Sequence, residues 1–465
     1  MRISARWPLL ILALLLTSAV SARAGDVKDT DVYARLKASL DAVPAIDTHS
    51  HLGGPGHIKL ALERDFRGED PKDCALSRLW MRSYFTWGHG LAPWPADDRF
   101  ETWWNAAQRD FDNSRARSAY RAMLPIFEDL YGVDFETLTV DQAKELNARM
   151  EKNYENPELA EEVLVKRANT ELMLIDSFVM PLHVGDHFPF MASVCNVRWY
   201  INGFHPSEFA NRANADPYAF AKHHDLPVNT LDDYVAVLDR IMAEAKATGA
   251  VCLKSQIAYD RTLDVAWVPK ERAEQVFGKP RAELNPGQIK EFQDYIFWRL
   301  AELSAKHELP FQIHTGHARI PGSNPMNLVN LIHGNPRTRF ILFHGGFPWV
   351  GESGMIALKY PNVYLDSVWM PTLSYTMGKR AFKEWLDMFS SNRIMWGSDL
   401  FTLEGSYGTT MYARQCITEA LAEKVLDKEL REEDALRIGR QILRENALEA
   451  IPLLRNHLKG GAEKQ

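Results

Sequence analysis

Eight short apolar runs recur along the 465-residue chain, each followed by a break and an amphipathic stretch, and this repeat constrains the fold most. The first run begins at Ala45. The others are Glu171 to Val179, Ala192 to Ile201, Ala250 to Ile257, Pro310 to His314, Arg339 to His344, Asn362 to Val368 and Arg393 to Asp399. Helical spacing of apolar residues is clearest at Leu231 to Ala247, Pro286 to His307, Met326 to His333, Ser353 to Leu358 and Thr376 to Phe389, with Met411 to Asp427 after the last run. Strands alternating with helices pair in parallel through right-handed crossovers. Eight such units predict a closed (β/α)8 TIM barrel of the α/β class. An open doubly wound sheet is the rival, but no glycine-rich dinucleotide turn follows an early strand.

The interval from about 57 to 169 exceeds a single crossover. Apolar residues at helical spacing in Arg115 to Leu130, Thr139 to Tyr154 and Pro157 to Arg167 predict a helical insertion after strand one, capping the strand ends. Its tryptophans read mostly as core packing, although Trp80, Tyr84 and Trp87 would also suit an apolar or aromatic ligand. Ala435 to Ile451 reads as a final helix, and residues 456–465 as a frayed tail. The expected organisation is a leader over residues 1–24, one barrel domain over 25–455 and the tail.

The leader reading rests on Arg2 and Arg6, the apolar stretch Leu9 to Leu16 and the cleavage pattern Ala22-Arg23-Ala24. It predicts an exported protein, periplasmic or secreted. The stretch is too short for a comfortable membrane span, and no later segment reaches spanning length. The net charge is −7, and loss of Arg2, Arg6 and Arg23 with the leader makes it three units more negative. That balance argues against nucleic acid or an anionic membrane as partner. Cys74, Cys195, Cys252 and Cys416 are far apart without metal-ribbon spacing and read as buried free thiols.

The chemistry gathers where the runs end. His49 and His51 alternate along the first strand, so both rings share a face, and Gly53-Gly54-Pro55-Gly56 then turns the chain. Lys254 lies on strand four, His314 closes strand five, His344 strand six and Asp399 strand eight. An ionisable group closing an apolar strand is costly unless paired, coordinated or hydrogen-bonded. One histidine of this kind is usually structural. Ionisable residues on five strands at the end where barrel enzymes place their reactive groups point to one shared polar centre.

The ordered set His49-x-His51, His314, His344 and Trp396-Gly397-Ser398-Asp399 resembles the amidohydrolase superfamily. Gln312-Ile313-His314-Thr315-Gly316 and the Trp396 segment look most like its amidohydrolase 2 branch, which includes decarboxylases and other carbon–carbon bond-cleaving enzymes. Leu253-Lys254-Ser255-Gln256-Ile257-Ala258-Tyr259 and the helical insertion are similar to FluG-like, uronate-isomerase-related members. The resemblance implies metal ligation by His49, His51, His314 and Asp399, with one Zn²⁺ preferred and Mn²⁺ or Fe²⁺ as alternatives. It further implies a metal-activated water, with Asp399 and His344 as catalytic acid/base groups. Lys254 has two readings. Carboxylated, it would bridge a second metal that His344 also binds; as a simple cation it would hold a substrate carboxylate.

Arg198, Arg261, His317 and Arg319 are further candidates for binding an anionic substrate, each weighed against a structural salt bridge or plain solvation. Asp47 would support the ligands from behind. A second metal at His183, Asp186 and His187 is a remote alternative, and His223-His224 reads as exposed. The expected function is hydrolysis of an amide, ester or lactone in a small-molecule substrate, with a carboxylate on it and a homo-oligomeric state both open. Decarboxylation or other carbon–carbon cleavage, or uronate-isomerase-like proton transfer, are the enzymatic alternatives. A periplasmic binding protein on a degenerate barrel is the non-enzymatic one.

Overall fold

Every apolar run contributes a parallel strand, and neighbours pair in chain order. The strands are β1 (Ala45–Ser50), β2 (Thr170–Ile175), β3 (Met191–Asn196), β4 (Cys252–Ser255), β5 (Phe311–Ile313), β6 (Phe340–Leu342), β7 (Val363–Asp366) and β8 (Ile394–Met395). This is a computed structural model, and it describes residues 26–54, 73–87, 90–178 and 187–462. The expected leader, the start of the insertion at 57–72, His183 and Asp186 lie outside the described residues. The strands are shorter than the runs because the last residues of several runs leave the ladder to face the barrel mouth. His314, His344 and Asp399 all lie beyond the strands that carry them.

The barrel closes between β8 and β1 through main-chain bonds: Thr48 N–H to the Trp396 carbonyl (3.3 Å), Asp399 N–H to that of His49 (2.8 Å) and His51 N–H to that of Leu400 (2.9 Å). The seam is tight enough to exclude a side chain at Gly397, where a Cβ would lie 2.8 Å from Thr48 Oγ1 and 3.0 Å from the His49 nitrogen. Strand alternation then sorts the layers. Ile46, Leu174, Val194, Cys252, Ile341 and Met395 fill the barrel, which Leu448, Ile451 and Leu454 also join. Leu253, Phe311, Phe340, Leu365 and Trp396 face the surrounding helices.

Those helices include Leu231–Ala247 and Pro286–His307, both begun by capping boxes in which the cap side chain and the third helical residue satisfy each other's backbone donors. The helix after β8, Leu403–Leu426, begins well before the expected Met411. The expected final helix is divided into Glu432–Arg440, a π-helical turn and Asn446–Ala450. Beyond it the chain does not fray from residue 456: a further helix runs Leu454–Ala462 and buries Leu454. All four cysteines are buried and free.

The insertion after β1 is helical as expected, with Phe100–Ser114 and Val140–Asn153 its longest described helices. It has its own aromatic core, centred on fully buried Trp80 with Phe85, Phe111, Tyr120 and Phe135 around it at ring-centre distances of 4.9–5.4 Å. Tyr131 and Tyr154 both donate to the buried Glu404 carboxylate and so tie the insertion to the helix after β8. Arg117 holds the Phe85 and Trp87 carbonyls, both at 3.0 Å, which fixes the segment that reaches back over the barrel mouth. Trp80→Ala is expected to cost about 3–5 kcal/mol, the usual range for emptying a large aromatic site. Near-UV circular dichroism during urea unfolding should show the insertion's aromatic signal lost at lower urea, and an unchanged midpoint would contradict this packing.

Candidate metal centre

His49, His51 and Asp399 converge at the seam, with one potential ligand atom from each lying within 4.8 Å of the others. The pairing of β1 with β2 shifts register between Asp47 and Ser50, the stretch that carries His49, and His51 follows directly after the strand. Asp399 adopts a left-handed backbone (φ 57°) that folds its carboxylate back toward them. One oxygen, Oδ1, stands 3.1 Å from His51 Nε2 and 3.6 Å from His49 Nε2. The Nδ1 of His51 donates to the Asp176 carbonyl at 3.0 Å, leaving the Nε2 lone pair directed into the centre. Phe178 and Phe401 stack on opposite faces of the His51 ring at 4.4 and 4.8 Å and hold its plane. Two imidazole nitrogens and a carboxylate oxygen are a donor set that suits Zn²⁺, Mn²⁺ or Fe²⁺, and so the residues fit a divalent metal.

Charge at the centre is finely divided. Burial drives His49 well below its ordinary pKa, and the Lys254 ammonium adds to the shift. Burial also opposes a charge on His51, but the Asp399 carboxylate outweighs it and the net shift is upward. Behind the ligands, burial raises the carboxyls of Asp47 and Asp366 to about 7. Asp47 accepts from the main-chain nitrogens of His49 (3.1 Å) and Ser398 (2.9 Å), spanning the seam, while Asp366 accepts from Thr48 Oγ1 at 2.6 Å.

His314 and His344 are bonded to each other, His344 Nε2 to His314 Nδ1 at 2.8 Å. The outer nitrogens face carbonyls: His344 Nδ1 that of Val368 at 3.0 Å, His314 Nε2 that of His317 at 3.2 Å. Both ring nitrogens of His314 are thus engaged, and it stands outside the three-ligand group. Satisfying all three contacts takes three protons on two rings, one more than a neutral pair carries. Burial favours the neutral pair, lowering both pKa values well below the ordinary histidine range. In the neutral pair one of the three contacts lacks its proton, and the longest, between His314 Nε2 and the His317 carbonyl, is the one to yield. His344 Nδ1 is also 3.9 Å from Asp399 Oδ2, so the histidine pair abuts the candidate metal ligands.

Lys254 is 2% exposed, and its ammonium lies 3.6 Å from the centre of the Phe343 ring. Burial lowers its pKa to about 8, with the carboxylates of Asp399, Asp176 and Asp366 opposing the shift. The expected arginine anchors are already paired. Arg198 makes two 2.7 Å bonds to Asp260, whose carbonyl also receives Arg319, and Arg261 meets the Asp294 carboxylate at 2.5 Å. His317 turns its ring against Trp87 and Trp369, at 5.2 and 5.3 Å. His187 lies within reach of Ser193 Oγ, and its expected companions His183 and Asp186 fall outside the described residues.

Two features were not expected: the hydroxyl contact of Tyr84, read in sequence only as an apolar or aromatic surface, and the polar bridge of Asn196 and Gln256 to Asp176. The Tyr84 hydroxyl, carried by the insertion, bonds the Asp399 carboxylate; burial first, then that carboxylate, holds it protonated well above its ordinary pKa. Asn196 and Gln256 form a polar bridge to Asp176, with Asn196 Nδ2 reaching both Asp176 oxygens at 3.0 and 2.9 Å. Strand-end position could have flagged Asp176 and Asn196; nothing in the local sequence around Tyr84 marks its return to the mouth.

A family model described as Amidohydrolase matches residues 185–453. Protein fluG of Emericella nidulans is 30% identical over 144 residues, a stretch covering 30% of this chain but only 17% of fluG's own length. Glucuronate isomerase from Caulobacter crescentus superposes with a TM-score of 0.70 at 17% identity, covering 93% of this chain and 95% of its own. Uronate isomerase from Thermotoga maritima gives 0.68 at 15% identity, with 90% and 97% covered. At these identities the two structures share the fold. Elemental analysis of zinc-loaded protein should find one metal per chain, lost in Asp399→Ala and His51→Ala and kept in Lys254→Met. A second metal that disappears with Lys254 would contradict this assignment of ligands.

Proposed function

Because the chain belongs to the amidohydrolase family, we propose that it is a one-metal barrel enzyme that moves protons to and from a substrate carbon without net hydrolysis, as in isomerisation or carbon–carbon cleavage. The observation that carries this reading is the 2.8 Å bond between His314 and His344. It occupies one nitrogen of each ring and supports reading the two as an acid/base pair rather than as metal ligands. A divalent cation held by His49, His51 and Asp399 would supply Lewis acidity toward a substrate oxygen.

The remaining steps fall to the protein. His314 Nε2, whose long contact to the His317 carbonyl is the one to yield, accepts or returns the carbon-bound proton, and His344 shares the added charge across the bond between the rings. Tyr84 offers a neutral O–H to oxygen at the centre, as its raised pKa keeps it protonated. Lys254, without an anionic partner at bonding distance in the described structure, balances a substrate anion. Tyr84, Trp87 and Trp369 close over the pair and reduce access of water, which favours proton transfer over hydrolysis. The activities named for the two isomerase structures agree with this chemistry.

Hydrolysis of an amide, ester or lactone is the second reading, and Asp399 favours it. Its Oδ2 lies on the His344 side of the carboxylate, where it could take a proton from an attacking water. Export is part of the proposal through the leader expected over residues 1–24. Incubation of a panel of uronates, aromatic acids, amides and lactones in D₂O, read by NMR, separates the two chemistries. Carbon-bound deuterium is expected in product, and His344→Gln should lower its appearance by about 10²–10⁴-fold with metal retained. Incorporation of ¹⁸O from labelled water into a product carboxylate, without carbon-bound deuterium, would overturn the main reading in favour of hydrolysis.

A further inference from the structure

We propose that the substrate is a planar aromatic molecule carrying a single carboxylate, an inference that rests on the metal-and-histidine site proposed above. The walls of the barrel mouth carry it. Tyr84 stacks on Trp369 at 4.0 Å, and Trp87 meets Tyr84, Trp369 and Tyr259 at 5.1, 5.2 and 6.5 Å. Phe178 and Phe401 enclose the His51 ring. Trp87 and Phe178 are 41% and 43% exposed, large apolar surface left open beside the most polar part of the molecule. The open parts of Trp87 and Phe178 can take a flat ring by offset stacking and edge contacts.

The distribution of charge limits the other half of the ligand. Arg198, Arg261 and Arg319, the described guanidiniums expected to bind an anion, are spent on Asp260 and Asp294. Among the described residues Lys254 is the cation that remains, buried, resting on Phe343 and acting electrostatically on His49, His314 and His344. One ammonium matches one carboxylate. A hydroxyl-rich sugar acid would need many polar partners, yet Asn196, Gln256 and Asp176 are committed to one another. The indole N–H of Trp369 is buried without a partner and leaves one donor for an acceptor on the ring.

The test is isothermal titration of zinc-loaded full-length protein with 2-naphthoate, its saturated counterpart decahydro-2-naphthoate, and D-glucuronate. 2-Naphthoate should bind about tenfold or more tightly than either. Trp87→Ala should erase that preference, Trp87→Phe should keep most of it, and Lys254→Met should weaken 2-naphthoate while leaving 2-naphthalenemethanol unchanged. Equal binding of the flat and saturated acids, or tighter binding of D-glucuronate that Trp87→Ala does not alter, would overturn the aromatic assignment. Because binding is read without turnover, that outcome leaves the proton-transfer chemistry to the D₂O experiment. Conversely, loss of carbon-bound deuterium there would not alter the titration.

Discussion

Three main-chain hydrogen bonds between the end of β8 and β1 hold the rest of this molecule in place. They close the barrel, and the same atoms position the chemistry: Asp399 donates to the His49 carbonyl and His51 to the Leu400 carbonyl. Metal ligands set on one hydrogen-bonded seam need no loop to bring them together, so their spacing is as rigid as the ladder itself. Gly397 and the carboxyl of Asp47 belong to this device. The glycine permits the close approach, and Asp47 accepts from one main-chain nitrogen on each side of it.

The seam concentrates ionisable groups where water is scarce, and the protein manages the resulting cost by partial neutralisation. Asp47 and Asp366 are lifted to about 7, and Lys254 is lowered to about 8, so each sits near the point of losing its charge. A divalent cation held by His49, His51 and Asp399 would favour the ionised form of both carboxylates from nearby. His344, Trp369 and Asp399 all hold left-handed backbones at this spot, with φ of 60°, 61° and 57°. Such conformations cost free energy in residues with a Cβ and persist where surrounding structure imposes them, which is characteristic of reactive sites.

The parts legible in sequence are those governed by local periodicity. The strand ends, the His49-x-His51 pair and Asp399 followed from alternation and from the cost of closing an apolar strand with a charge. Helix boundaries such as Leu231–Ala247 followed from apolar spacing. What escaped depends on distant partners. Arg198 and Arg261 looked like anion clamps because Asp260 and Asp294 lie 62 and 33 residues away. The place of His314 turns on which way each ring nitrogen points, and that is set by the carbonyls of His317 and Val368. Tyr84 reaches Asp399 only because the insertion folds about Trp80 and returns over the mouth.

The central claim is a single metal held by two histidines and one carboxylate, beside a histidine pair that stays free of it. X-ray absorption spectroscopy of the zinc-loaded protein tests this most directly, since imidazole scattering counts the histidine ligands and a neighbouring metal gives its own distance. The account expects two imidazoles and no second metal. A fit requiring three or four histidines, or a metal–metal distance of about 3.5–4 Å, would contradict it.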